Sequence, residues 1–208
     1  GLDAQLSAIR SSAAEAVTLM CDAAEPADAV SAFQLLAEHR LGGVLHAAGV
    51  LRDTLMRNMR ASQVATVFAS KAVGAQYLHA LMLQRSQASL VLFSSVTSAL
   101  GNVGQINYAA ANSHLDAMSQ SRRSHATEGY TIQLPLVAGA GMGAAAILAG
   151  ASRETESLAL LLDDYASFMR SVLIASKPEL SSSVQLPWHP FGLQKSLSDV
   201  ASLRYEEI

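Results

Sequence analysis

Short runs of strand-forming residues recur along the chain, and every gap between them is long. The runs are "AVTLMCD" (16–22), Val44–His46 within "LGGVLHAAGV" (41–50), "SLVLFSS" (89–95), "YTIQL" (130–134) and "SVQLPW" (183–188). No tight hairpin joins strands so far apart, and helical patterns fill the gaps. Leu2, Leu6 and Ile9 repeat at helical spacing up to about Ala14. Pro26 stands near the start of a second pattern over 25–40, with Val30, Phe33, Leu36 and Ala37 on its apolar side. A long helix is expected over roughly Ser62–Leu83, with Val64, Val67, Phe68, Val73, Tyr77 and Leu81 as its stripe. Further helices are expected over 107–124 and 162–175. Strand–helix alternation of this kind gives βαβ units, right-handed crossovers and an α/β fold. The sheet is then doubly wound and parallel, with helices on both faces.

Composition agrees and removes several function classes. Half of the residues are apolar and 15% are charged, which suits a sheet buried on both faces. The net charge of −3 and the lack of a basic stripe argue against nucleic acid as a partner. Cys21 is the single cysteine, expected as buried packing, so there is neither a disulfide framework nor a cysteine-based zinc site. The histidines lack ligand spacing, and no metal is expected. No apolar run is long enough to span a membrane and no signal peptide is visible, so no membrane partner and a cytoplasmic location are expected. The chain begins with Gly1 in what reads as mid-domain helix, which points to a fragment.

In parallel sheets chemistry collects beyond the carboxyl ends of the strands. Asp22, the "HAAG" turn (46–49) and Ser94–Ser95 fall there. "INYAAANSHLDAM" (106–118) adds Tyr108 and Asn112, four apart and so one above the other on a helix. The alanines between them favour helix and leave room for close approach. Ser95 precedes Tyr108 by thirteen positions, and Lys71 precedes Ser95 by twenty-four. Taken singly, each feature has a plain structural explanation: a turn serine, a solvated lysine, a half-buried tyrosine. His46 is read as structural, in the strand before the small-residue turn.

Together these residues resemble the short-chain dehydrogenase/reductase superfamily, and more closely the ketoreductase domains of modular polyketide synthases. Most of that superfamily carries its lysine four residues after the tyrosine. The polyketide group carries asparagine there and places the lysine on the preceding long helix, as Asn112 and Lys71 stand here. "HAAGVLRD", "KAVGAQYLHAL", "LVLFSSVTSALGNVGQINYAAANSHLDAMSQSRR" and "GAGM" match that group in order. The resemblance covers roughly residues 16–175. It implies a Rossmann-like fold and NADPH-dependent reduction of a β-ketoacyl thioester on an acyl carrier protein, beside other synthase domains. It implies Tyr108, Ser95, Lys71 and Asn112 as catalytic residues. Asp22, Ala47, Ala48, Gly49, Lys71 and Tyr108 would touch the cofactor, and Asp53, Leu100 and Met142 would lie on the substrate side.

The chemistry wants such groups in its own right. Hydride transfer to a ketone leaves an alkoxide that needs a proton. A tyrosine phenol, ordinarily near 10, becomes a usable acid when a nearby ammonium favours phenolate. Lys71 would supply that charge, Ser95 would hydrogen-bond the carbonyl oxygen, and Asn112 would orient Lys71 or a water.

Two departures from the resembled pattern stand out. No glycine-rich turn precedes Val17, so the first βαβ segment, which would cradle the pyrophosphate, is lacking in this sequence. The organisation expected is a truncated Rossmann-like domain over 1–188 and a tail or linker over 189–208. Such a chain alone would bind NADPH weakly or not at all. After the 130–134 strand, "LPLV" stands where the family has a Trp-Gly-Pro-Trp run. "GAGMGA" (139–144) formally meets a dinucleotide fingerprint, but Asp163 and Asp164 fall inside a helix pattern rather than at a strand end. Two further readings compete: an inactive ketoreductase relic with a structural role in a megasynthase, and a free-standing reductase of small ketones.

Overall fold

The computed structural model describes residues 2–12, 15–84, 88–138, 141, 159–174 and 184–185. A parallel sheet lies at the centre, in the order β1 (Gly43–His46), β2 (Ser89–Ser95), β3 (Gly129–Leu134) and β4 (Val184–Gln185). β1 and β2 pair with Val44 opposite Leu90, and β2 and β3 with Leu92 opposite Thr131. β2 is buried along nearly its whole length, which explains its unbroken apolar run.

The helices are α1 (Leu2–Ser11), α2 (Pro26–Leu35), α3 (Ala61–Phe68), α4 (Gly74–Met82), α5 (Thr97–Leu100), α6 (Ile106–Ser124) and α7 (Leu162–Ile174). A π-helical turn, Ala69–Val73, joins α3 to α4. Alternate residues of β2 face opposite ways. Leu90 and Leu92 pack with Ala75, Met82 and Leu115 under α4 and α6. Val91 and Phe93 pack with Tyr130, Ile132 and Val172, backed by Tyr165, Phe168 and Met169 of α7. The sheet is therefore covered on both faces, as expected of a doubly wound fold.

Three expectations need correction. Residues 16–22 do not form a strand: they have no regular secondary structure and are largely exposed, with Val17 at 73% and Met20 at 103% of full exposure. A strand needs a neighbour to satisfy its backbone, and among the described residues nothing pairs with β1 on its outer side. Cys21, in the same segment, is exposed rather than packed. The crossovers also do not share one hand. The strand order advances in a single direction while α4 and α6 cover one face and α7 the other, so the β3–α7–β4 connection is opposite in hand to the first two.

No helix among the described residues is long and apolar enough to cross a membrane. The segment containing Met142, the rest of "GAGMGA" apart from Gly141, and everything after Gln185 lie outside the described residues.

Candidate active site

Lys71 is the least expected side chain of the interior, at 2% exposure. Its position follows from the helix it sits on. Val67 and Ala75, four residues to either side, are both fully buried, so Lys71 occupies the inward stripe. It belongs to the π turn, whose extra residue shifts the stripe beyond it. Val73, Tyr77 and Leu81 are consequently only half-buried, while Ala75 and Met82 go inside. The His46 Nε2 hydrogen bonds to the Lys71 carbonyl oxygen at 3.0 Å and holds this turn from the end of β1. Burial lowers His46 from its ordinary range, so the ring is neutral and Nε2 carries the hydrogen it donates. Its structural role is as expected.

From there the Lys71 side chain runs to the carboxyl end of β2. Nζ donates to the Phe93 carbonyl oxygen at 2.9 Å and lies 5.3 Å from the centroid of the Tyr108 ring. Burial pulls the amine down to about 8, partly opposed by the charge of Asp116.

Tyr108 stands in the first turn of α6, nearly buried against Val67 and Ala111, with Val50, Leu51 and Phe68 around them. Burial pushes its phenol above the usual value, and the Asn112 and Ser95 side chains pull the other way. The lowered phenol expected from the lysine is thus not found: burial is the largest influence and raises it, and the charge of Asp53 adds to the rise. Ser95 ends β2; its Oγ accepts the Thr97 amide at 3.2 Å, and its side chain is within hydrogen-bonding reach of Tyr108. Asn112 is fully buried; Nδ2 donates to the Tyr108 carbonyl oxygen at 2.8 Å, while Oδ1 has no hydrogen-bond partner among the described residues. The structure therefore brings Lys71, Ser95, Tyr108 and Asn112 into one cluster where β2 meets α6.

Ala47 and Ala48 leave β1 exposed and Gly49 half-buried, so a small-residue surface opens beside the cluster. Asp22 does not follow a strand. It sits in the turn before α2, its Oδ1 accepting the Ala24 amide and its own amide donating to Asp28. This turn lies near the end of β1: Ala23 and His46 both border Gly74, where an added Cβ would stand 3.3 Å and 3.2 Å from them. Asp53 is exposed, and its Oδ2 accepts from Gln105 Nε2 at 2.7 Å. Leu100 is half-buried at the end of α5.

Two groups escaped the sequence reading. Asn107 Nδ2 donates to the Arg52 carbonyl oxygen and its Oδ1 accepts the Tyr108 amide, so this buried side chain ties the 50–54 loop to α6. Asp116 is buried below Asn112, bonded to Ser98 and Gln133. The one available signal was spacing, since Tyr108, Asn112 and Asp116 follow each other at intervals of four. Among the described residues, no cluster of His, Cys, Asp and Glu is arranged to hold a metal.

The family profile described as the KR domain matches residues 2–139. The chain belongs to the KR-domain family. Its relatives are polyketide synthases. The spectinabilin polyketide synthase system protein NorB of Streptomyces orinoci is 42% identical over 139 residues, 66% of this chain and 6% of that protein. The hybrid PKS-NRPS synthetase thnA of Trichoderma harzianum is 43% identical over 101 residues, 49% of this chain and 2% of that protein. Among solved structures, the first ketoreductase of the tylosin PKS superposes with a TM-score of 0.69 at 32% identity, covering 82% of this chain and 37% of that one. PlmKR1, the ketoreductase from the first module of phoslactomycin biosynthesis in Streptomyces sp. HK803, shares the fold with a TM-score of 0.79 at 24% identity, over 97% of this chain and 45% of that one. The KR domain thus spans a small part of the curated synthases it matches and less than half of these two solved ketoreductases.

Proposed function

We propose that this KR domain reduces a β-ketoacyl thioester, carried by an acyl carrier protein within a polyketide synthase, to the β-hydroxyacyl thioester, with NADPH as the donor. The observation that carries the reading is the cluster itself: a hydroxyl, a phenol and a buried ammonium grouped at the end of β2 in a KR-family chain.

The residues present fit a nicotinamide nucleotide. Lys71 Nζ spends one hydrogen on Phe93, which leaves others for ribose hydroxyls, and Ala47, Ala48 and Gly49 offer backbone without bulky side chains. Lys71, Tyr108 and the 47–49 turn would hold it, and NADPH would supply the hydride. Ser95 donates its hydroxyl hydrogen to the substrate carbonyl oxygen and stabilises the charge that grows there. Tyr108 gives its phenolic proton to that oxygen, leaving a phenolate beside the Lys71 ammonium. Asn112 holds the first turns of α6 in place through the Tyr108 carbonyl, and its free Oδ1 is an acceptor for a water or the ammonium. Burial of the cluster strengthens each of these interactions.

The test is consumption of NADPH by the full-length protein with a β-ketoacyl N-acetylcysteamine thioester. Turnover that Y108F abolishes supports the reading. Absence of turnover with short, medium and branched substrates, or turnover indifferent to Y108F, overturns it.

A further inference from the structure

We propose that Asn107 is a positioning residue of this site: its buried amide fixes the 50–54 loop, and with it Asp53, against the turn of α6 that carries Tyr108, and so governs how the substrate is seated before the phenol. The inference rests on the ketoreductase reading above and deepens it.

Asn107 immediately precedes Tyr108 in the first turn of α6 and is 2% exposed. The first amides of a helix have no carbonyl partner inside it. The Gln105 side chain, at the N-cap, does not supply one: its Nε2 donates to Asp53 and its Oε1 accepts from Asn102. Asn107 Oδ1 takes the Tyr108 amide instead, at 2.8 Å. Nδ2 of the same side chain donates to the Arg52 carbonyl oxygen at 3.1 Å. A backbone amide only donates and a carbonyl oxygen only accepts, so the two partners fix which way the Asn107 amide is turned. A cap alone is served by a hydroxyl or a carboxylate at the N-cap. The amide does more, as an acceptor for the helix and a donor for the loop, and its burial is tolerated because both ends are paired.

Each partner belongs to a rigid peptide plane. The Tyr108 amide lies in the plane that leads into the phenol-bearing residue, and the Arg52 carbonyl in the plane that leads into Asp53. One side chain therefore joins the two planes, although 55 positions separate Arg52 from Asn107. The loop it holds is a wall of the site. Val50 and Leu51 pack around Tyr108, Val67 and Ala111, and the charge of Asp53 reaches the phenol. A carbonyl placed for protonation by Tyr108 would lie beside this loop. The loop has two further anchors. The Gln105–Asp53 bond is exposed, so water competes for both ends, and the bond from the Thr54 amide to the Gly104 carbonyl oxygen precedes the helix. Asn107 is the buried anchor and the one that also touches the Tyr108 backbone.

N107D separates the two bonds. At about pH 8 its carboxylate, at a helix N-terminus, is ionised: it still accepts the Tyr108 amide but has no hydrogen for Arg52. Full-length native and variant proteins are compared by hydrogen-exchange mass spectrometry and by kinetics with β-ketoacyl N-acetylcysteamine thioesters. The expected result is faster exchange over 50–58 with protection kept over 106–118. KM should rise about tenfold with kcat changed less than about threefold, and the ratio of the two β-hydroxy enantiomers should fall. G129A, altered at the opposite end of β3, is the control for lost stability and should leave KM and the enantiomer ratio unmoved. If the buried carboxylate prevents folding, N107S replaces it, with a hydroxyl too short to reach Arg52. Unchanged exchange over 50–58 overturns the proposal, as does a loosened loop with KM and enantiomer ratio unmoved, or an equal rise of KM in G129A. Each would leave Asn107 as a helix cap. Native protein that reduces none of the thioesters sinks the ketoreductase reading instead, and the exchange comparison then decides alone whether Asn107 holds the loop.

Discussion

The His46 imidazole grips the carbonyl oxygen of Lys71 at 3.0 Å, so the strand that ends at the small-residue turn also fixes the helix turn that carries the buried amine. Twenty-five residues separate the two in sequence. The Lys71 carbonyl oxygen also accepts the Gly74 amide, so the imidazole adds a second donor that ties the π turn to the end of β1. A buried donor–acceptor pair of this kind is worth about 1–3 kcal/mol when one side is removed. H46F should therefore lower the unfolding free energy by an amount in that range, read as a lower denaturation midpoint, and weaken turnover by releasing Lys71. Chemical denaturation of the native and variant proteins measures the first effect. An unchanged midpoint would mean the turn holds itself.

His46 also makes stability depend on pH in a definite direction. Its pKa is depressed in the folded state by burial. The unfolded chain then takes up a proton before the folded one does. Stability is complete above about 6.5 and falls as the pH drops through the lower folded value. Thermal unfolding between pH 7.5 and 5 should show this loss in the native protein and less of it in H46F. Parallel curves would rule the histidine out as the cause.

Lys71 is kept inside at the expense of stability. Lowering the amine from 10.5 to about 8 corresponds to about 3 kcal/mol favouring the unfolded chain at neutral pH. K71M removes this burden and loses the Phe93 contact. The expected net effect is a more stable protein, by about 1–2 kcal/mol, that no longer reduces substrate. The same depression places the alkaline loss of activity in the native protein near pH 8. Urea midpoints and a pH–rate profile check both halves. A K71M protein less stable than the native one would show that the ammonium is better satisfied than its surroundings indicate.

β2 and α6 were legible because their signals are local. "SLVLFSS" is apolar on both faces, and α6 keeps its period for five turns, so both were placed within a residue of their observed ends. The four residues of the candidate site were legible through the resemblance of their spacing and flanking motifs to polyketide ketoreductases, even where each alone is ordinary. Residues 16–22 were misread because a strand exists only through a neighbour, and no local pattern reports whether that neighbour is there. The π turn was invisible because the apolar period on either side of it continues nearly unbroken. Asp116 and Asn107 were missed because their partners, Gln133, Ser98 and Arg52, lie 17 to 55 residues away, and no periodicity encodes such pairs.

Gly129 opens β3 with its Cα against Arg122. A Cβ there would stand 2.7 Å from Nε of that side chain. The arginine cannot swing aside without loss, because Nε and Nη2 both donate to the Glu128 carbonyl oxygen and Nη1 to His79. G129A should destabilise by about 1–3 kcal/mol through this overpacking. G129A combined with R122A should recover most of the clash, leaving the cost of the arginine alone. A thermal shift series of the two single variants and the double variant decides it. Simple additivity would refute the contact as the cause.

The face of hydride delivery is the finest detail the site bears on. Polyketide ketoreductases, which this chain resembles, divide into two stereochemical types. One carries tryptophan eight residues before the tyrosine, where Leu100 stands here. The other carries Leu-x-Asp after the "HAAGV" turn, matched by Leu51 and Asp53. The 50–54 loop is fixed rather than free. Asp53 accepts from Gln105, the Thr54 amide donates to the Gly104 carbonyl oxygen, and Asn107 holds the Arg52 carbonyl. All three anchors lie within four residues of Tyr108, so the loop is tied to the start of the helix that carries it. A substrate arm guided along Asp53 would thereby be oriented relative to the phenol. We expect D-configured β-hydroxyacyl product from the full-length protein, by chiral chromatography of the released alcohol. D53A should erode this selectivity about tenfold while leaving the fold intact, since Asp53 is exposed and its partner Gln105 can turn to water. A predominantly L product, or selectivity unmoved in D53A, would leave Asp53 as a surface anchor of the loop alone.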